Sequence, residues 1–359
     1  MAKEKVLVAL SGGVDSSASL ILLKDHGYDV IGLTMLLRDK GQEGDIESAR
    51  SIAKRLGVQY EVLDLRSEFR CRVTDYLVDS YLSFKTPNPC VECNKYIKSR
   101  ALLKRADELG CSYLSTGHYA RIIEDGGKYH LLEAKDLRRD QSYFLYPFKK
   151  EYLKRLIFPL GTFESKEEVR KILRKENLNI AEKKDSQDIC FIPDGKYIEY
   201  LKSYDAKDEQ KRRIEDEIDR EGDIIYRGRV IGRHKGLIHY TIGQRSGLGV
   251  SVGTPVYVKR IDKDNNAIVV GTREEIIEKT LTIESVNMLE DTPDEFVCMV
   301  KVRSSTDAKD ATARKNKNGT ISIEFDEGES AITKGQSAVM YSKERIDSSR
   351  ILLGGGVII

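Results

Sequence analysis

The segment Ser11-Gly12-Gly13-Val14-Asp15-Ser16-Ser17 constrains this chain more than any other. It follows the apolar run Val6 to Leu10 directly and leads into a helical window from Ser17 to His26, so it is a strand-to-helix junction. Two glycines permit a tight turn and leave backbone N–H groups open to a ligand, while the new helix presents the positive end of its dipole. Ser11, Ser16 and Ser17 offer hydroxyl donors as well. Together these define a phosphate cradle. It lacks the lysine of a Walker A loop, and Asp15 stands where a metal ion could be met.

The rest of the first third fits that junction. Val30 to Met35, Tyr60 to Leu65 and Tyr113 to Thr116 read as further strands, separated by helical windows at Ile46 to Leu56 and Tyr96 to Leu109. Strands alternating with helices predict a doubly wound parallel α/β sheet. Ser165-Lys166-Glu167-Glu168 is a capping box that opens a helix to about Glu176. Asp205 to Glu221 is almost wholly charged and reads as a solvated helix or connector. Beyond Gly222, short strands at Ile224 to Tyr226, Pro255 to Arg260 and Ala267 to Val270 are set between Gly-rich turns. Alternation continues in Thr282 to Val286, Phe296 to Val302 and Thr320 to Phe325, which predicts a C-terminal β-barrel. The expected units are a catalytic domain over 1–200, interrupted by a helical segment at about 160–178, a small central domain over 201–270 and the barrel over 271–359.

Composition narrows the class. A chain of 359 residues with 33% charged and 40% hydrophobic residues is globular rather than disordered. No window approaches the roughly 20 apolar residues that span a bilayer, and the N-terminus carries no signal-peptide pattern, so the expected location is cytoplasmic. A formal charge of +2 leaves a nucleic-acid partner to be decided by local patches. The basic group Arg227, Arg229, Arg233, His234 and Lys235 is the candidate for phosphate contact outside any motif.

Six cysteines are too few for a disulfide scaffold. Cys93, in Cys90-Val91-Glu92-Cys93-Asn94, falls just before a helix with Asn94 as expected N-cap, where the dipole would favour thiolate. Cys190 lies in the polar run Asp185-Ser186-Gln187-Asp188-Ile189-Cys190-Phe191. Cys71, Cys111 and Cys298 read as buried and inert.

The loop at Ser11 resembles that of the N-type ATP pyrophosphatases, which adenylate a substrate oxygen and release pyrophosphate. Six further segments occur in order. They are Asn88 to Asn94, Gly117-His118-Tyr119-Ala120, Asp140-Gln141-Ser142-Tyr143-Phe144-Leu145, Asp185 to Phe191, Tyr240-Thr241-Ile242-Gly243-Gln244-Arg245 and Leu353-Gly354-Gly355-Gly356. With them the whole chain resembles the tRNA-specific 2-thiouridylases, enzymes that replace the C2 oxygen of the anticodon wobble uridine by sulfur. The resemblance implies an adenine nucleotide alpha hydrolase-like fold, with ATP and Mg²⁺ as cofactors. It implies ATP contacts at Ala9, Leu10, Ser11, Gly12, Gly13, Val14, Asp15, Ser16, Met35 and Gly117. Cys93 would be the catalytic cysteine, Cys190 the carrier of persulfide sulfur, and Asp15 a further catalytic group. Asn88, Pro89 and Cys90 would lie against the extruded base, and His118, Arg139, Asp140, Gln141, Arg303, Ser304 and Gln336 would touch tRNA. The other partner would be a sulfur donor, either a persulfide-carrying protein or sulfide, and the expected state is a monomer.

Two positions depart from the family pattern: Cys90 stands where aspartate is common, and Ser304 where tyrosine is common. Cys90, Cys93 and Cys190 as three thiolates would suit a [4Fe–4S] cluster, though the same spacing also fits redox or zinc chemistry. Two other functions remain open on sequence alone. One is an adenylating synthetase that uses ammonia, and the other is a non-catalytic tRNA-binding protein.

Overall fold

The computed structural model describes residues 3–182, 189–192 and 195–359. Asp185 to Asp188, from the second cysteine segment, lie outside the described residues.

Four strands, β1 (Lys5–Ala9), β2 (Asp29–Leu36), β3 (Gln59–Asp64) and β4 (Tyr113–Ser115), the first two rich in β-branched residues, form the expected parallel sheet. The chain then makes an antiparallel hairpin, β5 (Arg121–Asp125) and β6 (Lys128–Leu132), before β7 (Leu156–Ile157) completes the order β3-β2-β1-β4-β7. Because β1 is central, its alternate side chains feed two cores. Leu7 packs with Ile31, Leu33 and Leu102 on one face, and Val6 and Val8 pack with Leu20, Ile52 and Leu173 on the other. The order reverses at β1, which places the phosphate loop at the switch point where open α/β sheets bind ligands.

Helical structure exceeds the sequence expectation over 66–82, and the thiol-bearing helix runs from Pro89 to Glu108. Its middle, Cys93–Ala101, is π-helical. Leu201, Ile214 and Ile218, from the helices Tyr197–Ser203 and Asp208–Ile218, share a core with Phe69 and Cys93. The charged segment is therefore a helix with one buried stripe on the catalytic side.

The central sheet comprises β8 (Gly222–Tyr226), β9 (Arg229–His234), β10 (Tyr257–Asp262) and β11 (Ala267–Gly271) in the order β10-β11-β8-β9. The barrel is built from β12 (Ile277–Met288), β13 (Glu295–Lys301), β14 (Lys309–Lys315), β15 (Ile321–Ser330), β16 (Ser337–Ile346) and β17 (Ser349–Ile358). Pairing of β12 with β17 closes it, and the terminal glycines make that seam. A Cβ on Gly354 would meet the Asn287 carbonyl at 2.4 Å, and one on Gly356 would meet the Glu284 carbonyl at 2.7 Å.

The barrel is fastened to the catalytic domain rather than trailing from it. Leu132 of β6 pairs with Ile351 of β17. The Asp140 to Leu145 segment wedges between the two units. There the Tyr143 hydroxyl donates to the Ser337 carbonyl at 2.8 Å, and the Asp140 carboxylate lies 3.6 Å from the Lys301 ammonium.

Candidate active site

At the nucleotide end, Gly13 is the N-cap of the helix Val14–Asp25. Gly12 has φ +71, and a Cβ there would meet the Asp45 carbonyl at 2.5 Å, so the turn requires glycine on both counts. Gly117 approaches from β4's end so closely that its Cβ would lie 2.9 Å from the Ser16 amide nitrogen. The serines divide. The Ser17 hydroxyl is buried and donates to the Gly13 carbonyl at 2.7 Å, and that of Ser16 reaches the Gly13 carbonyl at 3.3 Å and the Ser11 amide at 3.1 Å. These two hydroxyls brace the loop instead of facing a ligand, which corrects the expectation that they act as phosphate donors. Ser11 and the loop amides remain on the open side. Ala9, Leu10 and Val14 are buried beneath the loop, and Met35 is half-buried on β2.

Asp15 is already engaged. Its Oδ1 accepts from the Tyr119 hydroxyl at 2.7 Å and from the Lys166 ammonium. Sequence reasoning missed both partners. The capping box located the helix Lys166–Lys175, yet nothing in it showed that its first residue would reach the loop. A buried lysine at this spot supplies the positive charge that a Walker loop carries within its own motif. Mg²⁺ bound by one carboxylate and nucleotide phosphates fits Asp15, whose described bonds both fall on Oδ1.

At the thiol end the cap is Asn88, not Asn94. The Asn88 side chain accepts from the Val91 amide, and Pro89 occupies the first helical position. Cys90 and Cys93 therefore sit inside the helix. Asn94 is buried, with its side-chain amide donating to the Phe144 carbonyl at 3.0 Å. Burial then reverses the expected acidity. It pushes the Cys93 thiol up to about 12 and the Cys90 thiol up to about 11, against a smaller opposing pull from Lys98. Cys190 is also raised, again mainly by desolvation, although the residue itself is exposed. Its neighbour Phe191 packs edge-on against Phe69 at 5.2 Å and fixes this turn beside the thiol helix.

Lys98 is the cation that all three thiols feel. In an α-helix of 3.6 residues per turn it would lie about 140° round from Cys93, but a π-helix closes its bonds at i+5 and brings the two onto one face. Its ammonium donates to Nε2 of His118 at 3.1 Å, which leaves Nδ1–H to donate to the Thr116 hydroxyl at 2.7 Å. Burial, assisted by Lys98, holds the His118 pKa well below its ordinary value, so the ring is neutral. His118 thus faces inward to the thiols' lysine.

The remaining expected tRNA contacts are spread along the domain joint. Gln336 donates from Nε2 to the carbonyls of Thr86 and Pro87, at 3.2 and 3.1 Å, and so ties the barrel to the Asn88 turn. Arg303 donates to the carbonyls of Ile242 and Ala331 and to the Thr333 hydroxyl. Ser304 is exposed, and Arg139 and Gln141 are half-buried. The Asp140 carboxylate is taken up internally by the Ala134 amide, the Ser142 hydroxyl and Lys301.

Two other expectations change, for Cys71 and for the central basic group. Cys71 is exposed on the 66–82 helix, whereas Cys111 and Cys298 are buried as expected. Among the described residues no three His, Cys, Asp or Glu side chains converge as a metal-ligand set. The central basic group is neutralised in part, and among the described residues Arg229 and Lys235 have no carboxylate partner. Arg227 pairs with Glu275, Arg233 pairs with Asp223 and Glu221, and His234 is buried with Nε2 on the Asn266 carbonyl.

A phosphate loop with a tethered aspartate at one edge, and paired thiols beside a lysine, define an ATP-loop enzyme with sulfur chemistry. Residues 4–194 match the model of the tRNA methyl transferase HUP domain, 211–272 that of its PRC-barrel domain and 278–358 that of the aminomethyltransferase beta-barrel domain. The chain is 41% identical to the tRNA-specific 2-thiouridylase MnmA of Clostridioides difficile, covering 99% of this chain and 98% of the relative. It is 40% identical to the protein of the same name from Carboxydothermus hydrogenoformans, over 99% and 98%. The chain belongs to the tRNA-specific 2-thiouridylase family. Among solved structures it is partly similar to a 4-thiouridine synthetase in complex with RNA and bound ATP, with TM-score 0.40, 17% identity and 59% and 51% of the two chains covered.

Proposed function

We propose that this protein is a tRNA 2-thiouridylase, a sulfurtransferase that installs sulfur at C2 of the anticodon wobble uridine at the expense of ATP. The observation that carries this reading is the union of a glycine-dependent phosphate loop with Cys93, Cys190 and Lys98, in a chain whose relatives match it from end to end. The family model's description names methyl transfer and the relatives' name thiolation. The site favours thiolation, because a methyl donor requires neither an adenylating loop nor two thiols beside a cation.

In this reading Ala9 to Ser16, Met35 and Gly117 hold ATP with Mg²⁺, and Asn88, Pro89 and Cys90 bear on a base extruded from the anticodon loop. The uridine O2 attacks the α-phosphate, and pyrophosphate leaves. Sulfur arrives as persulfide on Cys190, from a donor protein, or as sulfide. In the persulfide route the Cys93 thiolate attacks the Cys190 sulfur, a Cys93–Cys190 disulfide forms and hydrosulfide is released. Hydrosulfide adds at C2 and AMP departs with the former O2; alternatively the terminal persulfide sulfur attacks C2 directly, AMP departs, and the Cys93 thiolate then attacks the Cys190 sulfur, which frees the 2-thio base as the Cys93–Cys190 disulfide forms. Lys98 offsets the cost of ionising the buried thiols. Arg139, Gln141 and Ser304, with Arg303 and Gln336 beside them, contribute tRNA contacts along the joint, while His118 and Asp140 act from inside it by holding Lys98 and Lys301.

We further read the chain as three working units, 1–200, 201–270 and 271–359, acting as a monomer in the cytosol. The three matched family segments support the division. Among the described residues no helix is long and apolar enough to cross a membrane.

Nucleoside mass spectrometry of an unmodified tRNA transcript, incubated anaerobically with the protein, ATP, Mg²⁺ and sulfide, tests the reading. It predicts a 2-thiouridine peak that requires ATP. Absence of that peak with both sulfide and a persulfide donor, from protein that binds the transcript, would overturn it.

A further inference from the structure

Opposite the thiol face, the same π-helical stretch organises a second group. Residues at i and i+5 share a face there, so Lys95 and Arg100 stand one above the other beside Tyr96. Arg72, from the neighbouring 66–82 helix, joins them. The Arg72 and Arg100 guanidinium carbons each lie 4.8 Å from the Tyr96 ring centroid, and the Lys95 ammonium lies 5.1 Å away. None of the three forms a salt bridge with a described residue, and Glu92 is the carboxylate that lies within electrostatic reach of all three. Three cations held round one half-buried ring against one acid leave an uncompensated positive patch.

The patch borders a cleft of about 600 Å³ between the catalytic domain and the barrel. Lys95 and Arg100 line it, with Lys85 from the loop after the 66–82 helix. Val91 and Gly335 also line it, and they are the immediate neighbours of Cys90 and Gln336. The cleft therefore begins one residue from each of two positions assigned above to the extruded base and to tRNA.

We propose that Arg72, Lys95 and Arg100, with Lys85, bind the phosphodiester backbone of the RNA strand that flanks the extruded base. This rests on the function proposed above and adds residues that no motif marks. The chemistry suits phosphate. Guanidinium groups already ordered by a ring lose little freedom on binding, and Arg72 and Arg100 are both exposed to an incoming strand. An exposed base would instead need an uncovered aromatic face, which cations occupy here. In the central basic group, by contrast, Arg227 and Arg233 would have to break their pairs with Glu275, Asp223 and Glu221 to serve the same purpose, which leaves Arg229 and Lys235.

The test is the salt dependence of binding of an unmodified tRNA transcript to the full-length protein. For Arg72→Gln/Lys95→Gln/Arg100→Gln, the slope of log K against log salt should become shallower by about 0.9 for each phosphate no longer neutralised, or roughly two to three in all. The charge-keeping variant Arg72→Lys/Lys95→Arg/Arg100→Lys should retain the wild-type slope, which separates charge from folding. An unchanged slope in the Gln variant, with wild type binding normally, would overturn the patch and leave the function standing. Failure of wild type to bind the transcript at all would overturn both. An equally shallow slope in the two variants would show a packing role for these side chains and would also overturn the proposal.

Discussion

The two ends of the site are built in different ways. The phosphate loop is mainly a local object: its bracing bonds join residues three to five apart, from Ser11 to Ser17, and its longer-range bonds run from Asp15 to Tyr119 and Lys166 and from the Ser48 hydroxyl to the Gly12 carbonyl. The thiol end is assembled from Cys93, Lys98, His118 and Cys190 on three separate segments, and its properties belong to the assembly. A local motif carries its chemistry wherever it folds. A composite pocket acquires its chemistry from burial, and here burial outweighs the helix dipole and raises the thiols instead of lowering them.

The largest predicted effect comes from removing sulfur chemistry while leaving the loop intact. With a persulfide donor supplying the sulfur, Cys93→Ala and Cys190→Ala should each lower 2-thiouridine formation by on the order of 10³-fold or more, measured by nucleoside mass spectrometry. Either variant retaining near-normal turnover would dissolve the contrast between the two ends. Cys90→Ser, which removes no relay thiol, should lower it by no more than about tenfold.

Next comes the cation shared by the thiols. Lys98→Met should slow alkylation of Cys93 by iodoacetamide about tenfold at pH 8 and shift its pH profile upward by about one unit. Lys98→Arg should restore much of the rate. The loop offers the matching test, since Gly12→Ala strains a φ of +71 and places a methyl against the Asp45 carbonyl. It should raise the KM for ATP without moving the alkylation profile, at a stability cost of about 1–3 kcal/mol.

The smallest effects are on stability. Cys93 and Cys298 have thiols raised to about 12 from an ordinary value of 9. The unfolded chain loses these protons near pH 9 and the folded chain only near 12. Their contribution is therefore complete below about pH 9 and is lost as pH rises through that interval. Denaturant midpoints should fall between about pH 9 and 11, and a midpoint that holds steady would contradict the burial argument. Arg303→Gln should lower the melting temperature by a few degrees through loss of its bonds to Ile242, Ala331 and Thr333.

The same contrast explains what the sequence disclosed. Apolar runs and period-3.6 patterns located β1 to β4 and their helices, because β1, β2 and β4 are largely buried and helices such as Glu43–Arg55 bury one stripe. The hairpin Arg121–Leu132 escaped notice: its strands alternate weakly, and only contact with β17 gives β6 a reason to pair. Asn94 looked like a cap because it is polar and follows Cys93, yet Asn88 followed by proline makes the better start. Lys166 and Lys98 were invisible as site residues, since a lysine's partner is set by tertiary packing or by a π-helical register that no local signal announces. The basic run at 227–235 was conspicuous, yet Arg227 and Arg233 are paired there, while the cations round Tyr96, which have no salt bridge among the described residues, are scattered over 72–100. Proximity in sequence proved a poor guide to free charge.

The most direct test of two separable ends is tRNA-dependent ATP–pyrophosphate exchange in Cys190→Ala, read beside its thiolation. The account predicts exchange within about threefold of wild type and no 2-thiouridine, because adenylation needs the loop and not the thiol. Loss of exchange in a folded, tRNA-binding Cys190→Ala protein would contradict it, and would mean that the thiols take part in the adenylation step itself.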